Sequence, residues 1–568
     1  MEKNQSIAIV GLGGVFPGAA DLSGFWENIR LARDCSREPP AGRWSLHLED
    51  VYSASGPQPD HVYSKRACFV DDAQLDFEGL HIDREFLDSL DPMFHLLLHA
   101  GNQAWRSANT SKLDRQRVGI IIGNIALPSD AASSIADETI FPIFENQLSL
   151  ETMDGPRTNQ LNRYVAGLPA GILARALGLG GGTYTLDAAC ASSLYSLKYA
   201  VDELQAGRSD AMLCGGLSRP DSLYTQMGFS SLHAISASGR CSPFDVKGDG
   251  LVVGEGAGIL VLKRLQDALD DGDEIHATIA GIGLSNDIEG NLMLPHSEGQ
   301  LRAMHAAYKQ ANWQAEDIDL IECHGTGTPV GDVVEFNSLQ SLWGSKRNKN
   351  DCVIGSVKSN IGHLLTAAGS AGLIKVLMAM KHETLPPTAN FESASNGIDM
   401  ADSPFSVLNQ PRSWARRDAS TPRRAAISAF GFGGINAHVL LQEWQGEKSV
   451  IPAKITTATS PLKKPDIAIV GMDSSFGPWQ NLDSFRQRVL GGMEEFSPTA
   501  YANNWGVAST GKGYCLDKIE IPLRRFRIPP NELKEMLPQQ LLMLLVASNA
   551  IADAKLSADE SAVFSDAG

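Results

Sequence analysis

The sequence has no apolar run of about 18 residues, so no segment is read as a membrane-spanning helix. It has no Cys-x-x-Cys pair. Its eight cysteines (Cys35, Cys68, Cys190, Cys214, Cys241, Cys323, Cys352 and Cys515) stand scattered, which argues against a zinc site or a disulfide framework and for a reducing, cytoplasmic setting. Basic charge is in deficit: 48 Lys and Arg against 66 Asp and Glu leave a net charge of −18, so no duplex-binding surface is expected as a global property. A P-loop and a Gly-x-Ser-x-Gly elbow are both missing. Gly11-Leu-Gly-Gly-Val-Phe16 lacks the third glycine of a dinucleotide fingerprint and its acidic partner. Asp245-Val-Lys-Gly-Asp-Gly250 opens like a calcium loop, but the twelfth position is Gly256 rather than Glu. The opening Met-Glu-Lys-Asn-Gln leads into a strand-like run instead of a signal-peptide core.

What is present is length and apolar content. With 568 residues, 43% of them hydrophobic, the chain exceeds one ordinary domain and can bury large cores. Short apolar strands such as Ile7-Ala-Ile-Val10, Val118-Gly-Ile-Ile-Ile122, Ile279-Ala-Gly-Ile282 and Val353-Ile354 alternate with helical patterns to about residue 442. That pattern predicts an α/β fold with covered sheets. Residues 443–465, rich in Thr, Ser, Pro and Lys, read as a linker. The chain then begins again. Ile467-Ala-Ile-Val-Gly471 repeats Ile7-Ala-Ile-Val-Gly11 at an offset of 460, and Phe476, Leu482 and Phe485 repeat Phe16, Leu22 and Phe25 at the same offset. Residues 466–568 are therefore expected to be an incomplete second copy.

Three loops carry chemistry. A strand-like run ends in Asp187-Ala-Ala-Cys190, followed by Leu194, Leu197, Val201 and Leu204 at helical spacing and Gly207 as a stop. A thiol at the mouth of that helix meets free amides and the positive helix end, which predicts a stabilised thiolate nucleophile. His324 in His324-Gly-Thr-Gly-Thr328 and His363 in Lys358-Ser-Asn-Ile-Gly-His363 each follow a short apolar strand. Catalytic groups sit at such strand ends in α/β sheets. Phe430-Gly-Phe-Gly-Gly434 supplies a turn able to aim amides at an oxyanion.

Taken together, these motifs resemble a β-ketoacyl synthase (ketosynthase) of the thiolase-like superfamily, in the style of the iterative type I synthases of polyunsaturated fatty acids and polyketides. The resemblance covers residues 5 to about 442, with Phe244-Asp245 and Gly254-Glu-Gly-Ala-Gly258 also matching. It implies two similar α/β halves in five layers over residues 1–442, and a chain-length-factor-like copy over 466–568. It implies an acyltransferase that condenses a Cys-bound acyl chain with malonyl on an acyl carrier protein, losing CO₂. Cys190 would be the nucleophile, and His324 and His363 the hydrogen-bond donors to the enolate. The amides of Cys190 and Phe432 would form the oxyanion hole, with Phe432 as gate. Lys358 and Glu335 would be a buried pair ordering His363. Thr326, Thr328, Gly433, Phe430 and Asn360 would bind the pantetheine and malonyl groups. No metal or cofactor is implied on this chain, since phosphopantetheine arrives on the carrier protein. Expected partners are that carrier, other synthase domains, and a homodimer mate or the second copy. A non-catalytic chain-length factor or scaffold is the alternative. An acidic carrier needs a local basic patch, for which Arg412, Arg416, Arg417, Arg423 and Arg424 are candidates, unless they are held in internal salt bridges.

Overall fold

The computed structural model describes residues 6–71, 75–148, 158–288, 294–344, 352–446, 466–491, 499–500, 512–516, 518–523, 525–526 and 528–556. Most of the expected linker lies outside these residues. The chain divides into a unit of residues 1–453 and one of residues 454–568.

The first unit is built on eleven strands: β1 (Ile7–Val15), β2 (Val118–Gly123), β3 (Thr183–Leu186), β4 (Ala211–Ser218), β5 (Gly256–Arg264), β6 (Ala277–Asn286), β7 (Leu320–Glu322), β8 (Cys352–Gly355), β9 (Phe405–Ser406), β10 (Arg424–Gly431) and β11 (Ile435–Glu443). Their order is β9-β8-β7-β10-β11-β6-β1-β5-β4-β2-β3. The order contains the same topology twice. In the first half, β1-β5-β4 pair antiparallel and β4-β2-β3 pair parallel. In the second half, β6-β11-β10 pair antiparallel and β10-β7-β8 pair parallel. Within the sheet, the described strands of the two halves meet through a short antiparallel contact of Ile7, Ala8 and Ile9 with Ile279, Thr278 and Ala277.

Helices cover both faces of each half. α1 (Pro92–Ser107) and α2 (Pro169–Leu177) pack on the first half, and α4 (Ser297–Ala311), backed by α5 (Pro329–Trp343), packs on the second. α3 (Ser192–Gln205) and α6 (Ala368–Lys381) contact each other and strands of both halves, so they form the central layer. The resulting sequence of layers is helix, sheet, helix, sheet, helix.

Strand alternation explains the layering. Ile7 and Ile9 of β1 face the central core with Leu194, Leu197, Val201 and Leu204 of α3 and Ile374 and Leu377 of α6. Ala8 and Val10 face the outer core with Leu97 and Leu98 of α1. A third cluster, with Met304, Ile321, Phe336 and Ile354, fills the outer side of the second half. A strand buried on both faces must be apolar throughout, and β1, β2 and β4 are buried at every position. Gly369 sets how closely the central helices approach, because a Cβ there would lie 2.7 Å from Ser193 Oγ and 2.8 Å from Leu194 Cγ. The helix predicted after Cys190 ends as expected, with Gly207 at φ 68°.

The second unit repeats local details of the first. Phe476 and Trp479 exchange backbone hydrogen bonds as Phe16 and Ala19 do. Asn481 caps the helix Leu482–Val489 through Ser484 N–H, as Asp21 caps the helix Leu22–Arg30 through Gly24 N–H. The rings of Phe476 and Phe485 lie 4.7 Å apart, and those of Phe16 and Phe25 4.2 Å apart. The Ile467-Ala-Ile-Val run, however, forms no strand, and Ile467 and Ile469 are 94% and 84% exposed. In the first unit β5 and β6 give β1 its ladder, and among the described residues of the second unit nothing does so.

Candidate active site

Cys190 stands between β3 and α3. The turn before it is tight: Ala189 has φ 48°, its N–H donates to Asp187 Oδ1 (2.9 Å), and Ala188 N–H donates to Ser192 Oγ (2.7 Å). A left-handed alanine is a strained conformation, held here by the surrounding hydrogen bonds, and it swings Cys190 off the strand line. The sulfur meets His363, whose Nε2 lies 3.1 Å from Sγ. The rings of His363 and His324 meet edge to face at 5.5 Å and 87°. The three side chains thus converge from β3, β7 and β8 on one cavity of about 320 Å³, lined also by Thr326, Thr328, Phe430 and Phe432.

The tautomer of His324 follows from its neighbour. Its Nδ1 accepts the N–H of Phe430 at 3.3 Å, so the ring proton sits on Nε2. Burial holds both imidazoles well below the usual histidine range, with the Lys358 charge adding to the effect. Both rings are neutral at physiological pH, and His324 is a neutral donor. His363 Nδ1 is buried without a hydrogen-bond partner, so no neighbour fixes its tautomer from that side.

The sulfur departs from the sequence expectation. Burial pushes the Cys190 thiol up to about 11, against the opposing pull of the Lys358 charge and of the amides of Phe432 and Cys190 itself. The helix mouth is present, but desolvation outweighs it, so the resting group is a thiol and not a thiolate. The two amides that reach Sγ are those of Cys190 and Phe432, which were expected to form the oxyanion hole. Gly431 makes that geometry accessible, since a Cβ there would stand 3.0 Å from Ala189 Cβ and 3.1 Å from Cys190 N.

The Lys358–Glu335 pair also differs from expectation. Among the described residues these two form no direct ion pair. Each grips the backbone of His324. The carboxylate of Glu335 accepts the N–H groups of His324 (2.7 Å) and Gly325 (2.8 Å), and Lys358 Nζ donates to His324 O (2.5 Å). Their target is therefore His324 and not His363. Burial raises Glu335 to about 7 and, one turn earlier, Asp332 to about 6. Asp332 receives the N–H groups of Phe244 (2.7 Å), Thr326 (3.1 Å) and Gly327 (3.2 Å) and so shapes the rest of the loop. Sequence reading did not give Asp332 a role, although its place one turn before Glu335 on one helix face was visible.

Thr326 and Thr328 face the cavity with their hydroxyls 2.9 Å apart. Phe430 lines it too, 5.8 Å from His324. Phe432 stands at its mouth, 37% exposed, with Phe229 at 6.2 Å. Two expected substrate residues do not line it. Asn360 is fully buried, and its side-chain amide donates to Arg33 O at 2.9 Å, tying the His363 loop to the N-terminal segment. Gly433, with φ 84°, serves the turn instead of the wall.

The arginine cluster is largely spent internally. Arg416 and Arg423 pair with Glu443, Arg417 with Asp319 (2.8 Å) and Arg424 with Asp317 (3.3 Å). Among the described residues no group of His, Cys, Asp and Glu could hold a metal ion, and no helix is long and apolar enough to cross a membrane.

Comparisons with known proteins match this geometry. The family model "Beta-ketoacyl synthase, N-terminal domain" matches residues 4–268 and again 464–567, and "Beta-ketoacyl synthase, C-terminal domain" matches residues 276–392. A polyunsaturated fatty acid synthase polypeptide of Thraustochytrium sp. is 31% identical over 97% of this chain and 27% of its own length. Polyketide synthase PksN of Bacillus subtilis is 32% identical over 81% of this chain and 8% of its own length. The chain thus spans about a quarter or less of these relatives. Among solved structures, the PfaC keto synthase–chain length factor superposes with a TM-score of 0.84 at 33% identity, covering 97% of this chain and 60% of that one. The ketosynthase from module 6 of the bacillaene synthase of Bacillus subtilis superposes with a TM-score of 0.68 at 32% identity, covering 78% of this chain and 72% of that one. A doubled five-layer α/β fold, a cysteine meeting two histidines at strand ends, and family models matched across both halves agree: the chain belongs to the β-ketoacyl synthase family.

Proposed function

We propose that the first unit condenses an acyl group with malonyl on an acyl carrier protein. The observation that carries this reading is the convergence of Cys190 Sγ, two neutral imidazoles and two backbone amides on one cavity. In the first half-reaction Sγ attacks the thioester carbonyl of the incoming acyl carrier. The S–acyl bond to Cys190 forms, the bond to the pantetheine sulfur breaks, and the thiol proton passes through His363 Nε2 to the departing pantetheine sulfur. The tetrahedral oxyanion lies against the amides of Cys190 and Phe432. In the second, malonyl loses CO₂. The C–C electron pair becomes an enolate whose oxygen takes hydrogen bonds from His324 Nε2–H and His363. The enolate carbon attacks the acyl-Cys carbonyl, the C–S bond breaks with its electron pair leaving on Cys190 Sγ, a 3-oxoacyl carrier protein departs, and the thiolate takes up one proton from solvent to restore the resting thiol. A neutral imidazole suits this step, because an imidazolium would protonate the carbanion it should stabilise.

The second unit is read as the start of a chain-length-factor-like copy, supported by its family match and its repeated capping and aromatic pairs. Further synthase domains are expected partners. A homodimer through edge strand β3 is supported by its outer side, which no strand among the described residues pairs, and by the exposed Tyr184 on β3 and Tyr199 on α3. The eight free thiols suit a reducing cytoplasm.

The test is acylation with a radiolabelled acyl thioester, followed by CO₂ release from malonyl carrier protein. Cys190→Ala should take up no label. Full labelling of that variant would assign the nucleophile elsewhere.

A further inference from the structure

A buried ion pair behind the cavity is left unused by this mechanism. Glu322 ends β7. Strand alternation turns it inward with Leu320, which packs in the central core, while Ile321 faces the outer one. Its partner is Lys375 of α6, whose Nζ lies 2.6 Å from Glu322 Oε2. The two residues are 2% and 1% exposed. Gly372 makes room for the carboxylate, because a Cβ there would stand 2.8 Å from Glu322 Cγ. A buried pair of this kind is often replaced by apolar side chains without loss of stability, so stability alone does not account for it.

The other carboxylate oxygen does what an apolar side chain cannot. Glu322 Oε1 accepts the N–H of Val357 at 2.6 Å. Val357 opens the turn that carries Lys358 and then His363. The far end of that turn is tied independently, His363 N–H donating to Val252 O at 2.6 Å. The near end is tied by Glu322. Lys358 stands directly after this tie and reaches across to His324 O at 2.5 Å. The end of β7 therefore holds both sides of the Lys358–His324 contact. His324 follows Glu322 along the chain, and Lys358 is fixed through the Val357 amide.

We propose that Glu322, its charge balanced by Lys375, is a positioning residue for the malonyl half-reaction. It fixes the Val357 amide, through it Lys358, and through Lys358 the place of His324. This rests on the proposed condensing function. Cys190 Sγ and His363 Nε2 lie outside this line of contacts, so acylation of the sulfur is independent of it.

The test uses the full chain and double variants that leave no charge buried at the pair. Glu322→Gln with Lys375→Met keeps an acceptor for Val357 N–H. Glu322→Met with Lys375→Met removes that acceptor at similar side-chain length. Val357→Pro removes the donor instead and leaves both charges in place, at a φ of −60° that already suits proline. Each is measured, well below its melting temperature, for labelling of Cys190 by a radiolabelled acyl thioester and for CO₂ release from malonyl carrier protein. The first double variant should release CO₂ within about threefold of wild type, since its acceptor is retained. The second, and Val357→Pro, should lose about 10- to 100-fold in kcat with KM within about twofold, the effect of a misplacement of about 1 Å. All three should label Cys190 within about threefold of wild type, because the sulfur meets His363. Equal kcat in the two double variants would overturn the proposal. Parallel losses of labelling and CO₂ release would assign a packing role and overturn it too. A wild type that releases no CO₂ would instead refute the condensing function itself, so the two failures are distinguishable.

Discussion

The protonation state of Cys190 is open to a direct kinetic test. The perturbation is pH, and the readout is the pseudo-first-order rate of iodoacetamide alkylation at Cys190, followed by peptide mass spectrometry. With the thiol at about 11 because of burial, roughly one molecule in a thousand is thiolate at pH 8, against roughly one in four for a free cysteine. That deficit of roughly 240-fold is offset about 13-fold by the greater nucleophilicity of the more basic sulfur, leaving alkylation roughly 20-fold slower than for free cysteine. The sign follows from the raised value: thiolate grows tenfold per pH unit through the whole range from 6 to 10, and no plateau is reached. The imidazoles add no inflection in that range, because burial holds both well below it. Lys358→Met removes a charge that favours the thiolate and should slow alkylation further at every pH. A plateau beginning below pH 8, the signature of a standing thiolate–imidazolium pair, would refute the reasoning.

Three further outcomes are expected. His324→Ala should keep Cys190 acylation, since Sγ contacts His363 and not His324, and lose malonyl decarboxylation by about 10²-fold or more, measured as CO₂ release. Glu335→Ala leaves two buried N–H groups unpaired and should cost about 2–4 kcal/mol, read as a lower urea midpoint, with Glu335→Gln costing less. Gly431→Ala places a Cβ 3.1 Å from Cys190 N and should displace the Phe432 amide, lowering kcat about 10²-fold with a change in melting temperature too small to account for it.

Much of the fold could be read from residue order. Covered strands announce themselves by continuous apolar runs, and α3 by Leu194, Leu197, Val201 and Leu204, all now in the central core. The Cys-His-His set was also legible, because each member follows a strand. What was not legible depends on neighbours distant in sequence. The thiol's protonation turns on burial from all sides, which a helix-mouth argument does not contain. Lys358 and Glu335 have opposite charges, yet both are taken up by the backbone of His324. Asn360 sits within the His363 loop but points to Arg33, 327 positions away. The arginines look like a docking patch until Glu443, Asp319 and Asp317 come beside them. The second Ile-Ala-Ile-Val run has the residues of a strand without the ladder that makes one.

The doubled topology explains why residues so far apart meet. In the halves, β3 and β8 hold equivalent positions, and each leads to a helix of the central layer, α3 and α6. Cys190 lies on the first of these connections and His363 on the second. Because α3 and α6 pack on one another and on strands of both halves, the connections feeding them are drawn together, and the 3.1 Å contact follows from that packing. His324 comes from β7, which pairs with β8. The separation of Cys190 Sγ and His363 Nε2 is therefore set by a close helix contact, where Gly369 lets α6 lie against Ser193 and Leu194, three and four residues beyond Cys190. Widening that contact would separate sulfur from imidazole without touching either. Gly369→Ala should accordingly slow acylation of Cys190 by a radiolabelled acyl thioester while leaving the His324 loop, held by Glu335 and Lys358, in place.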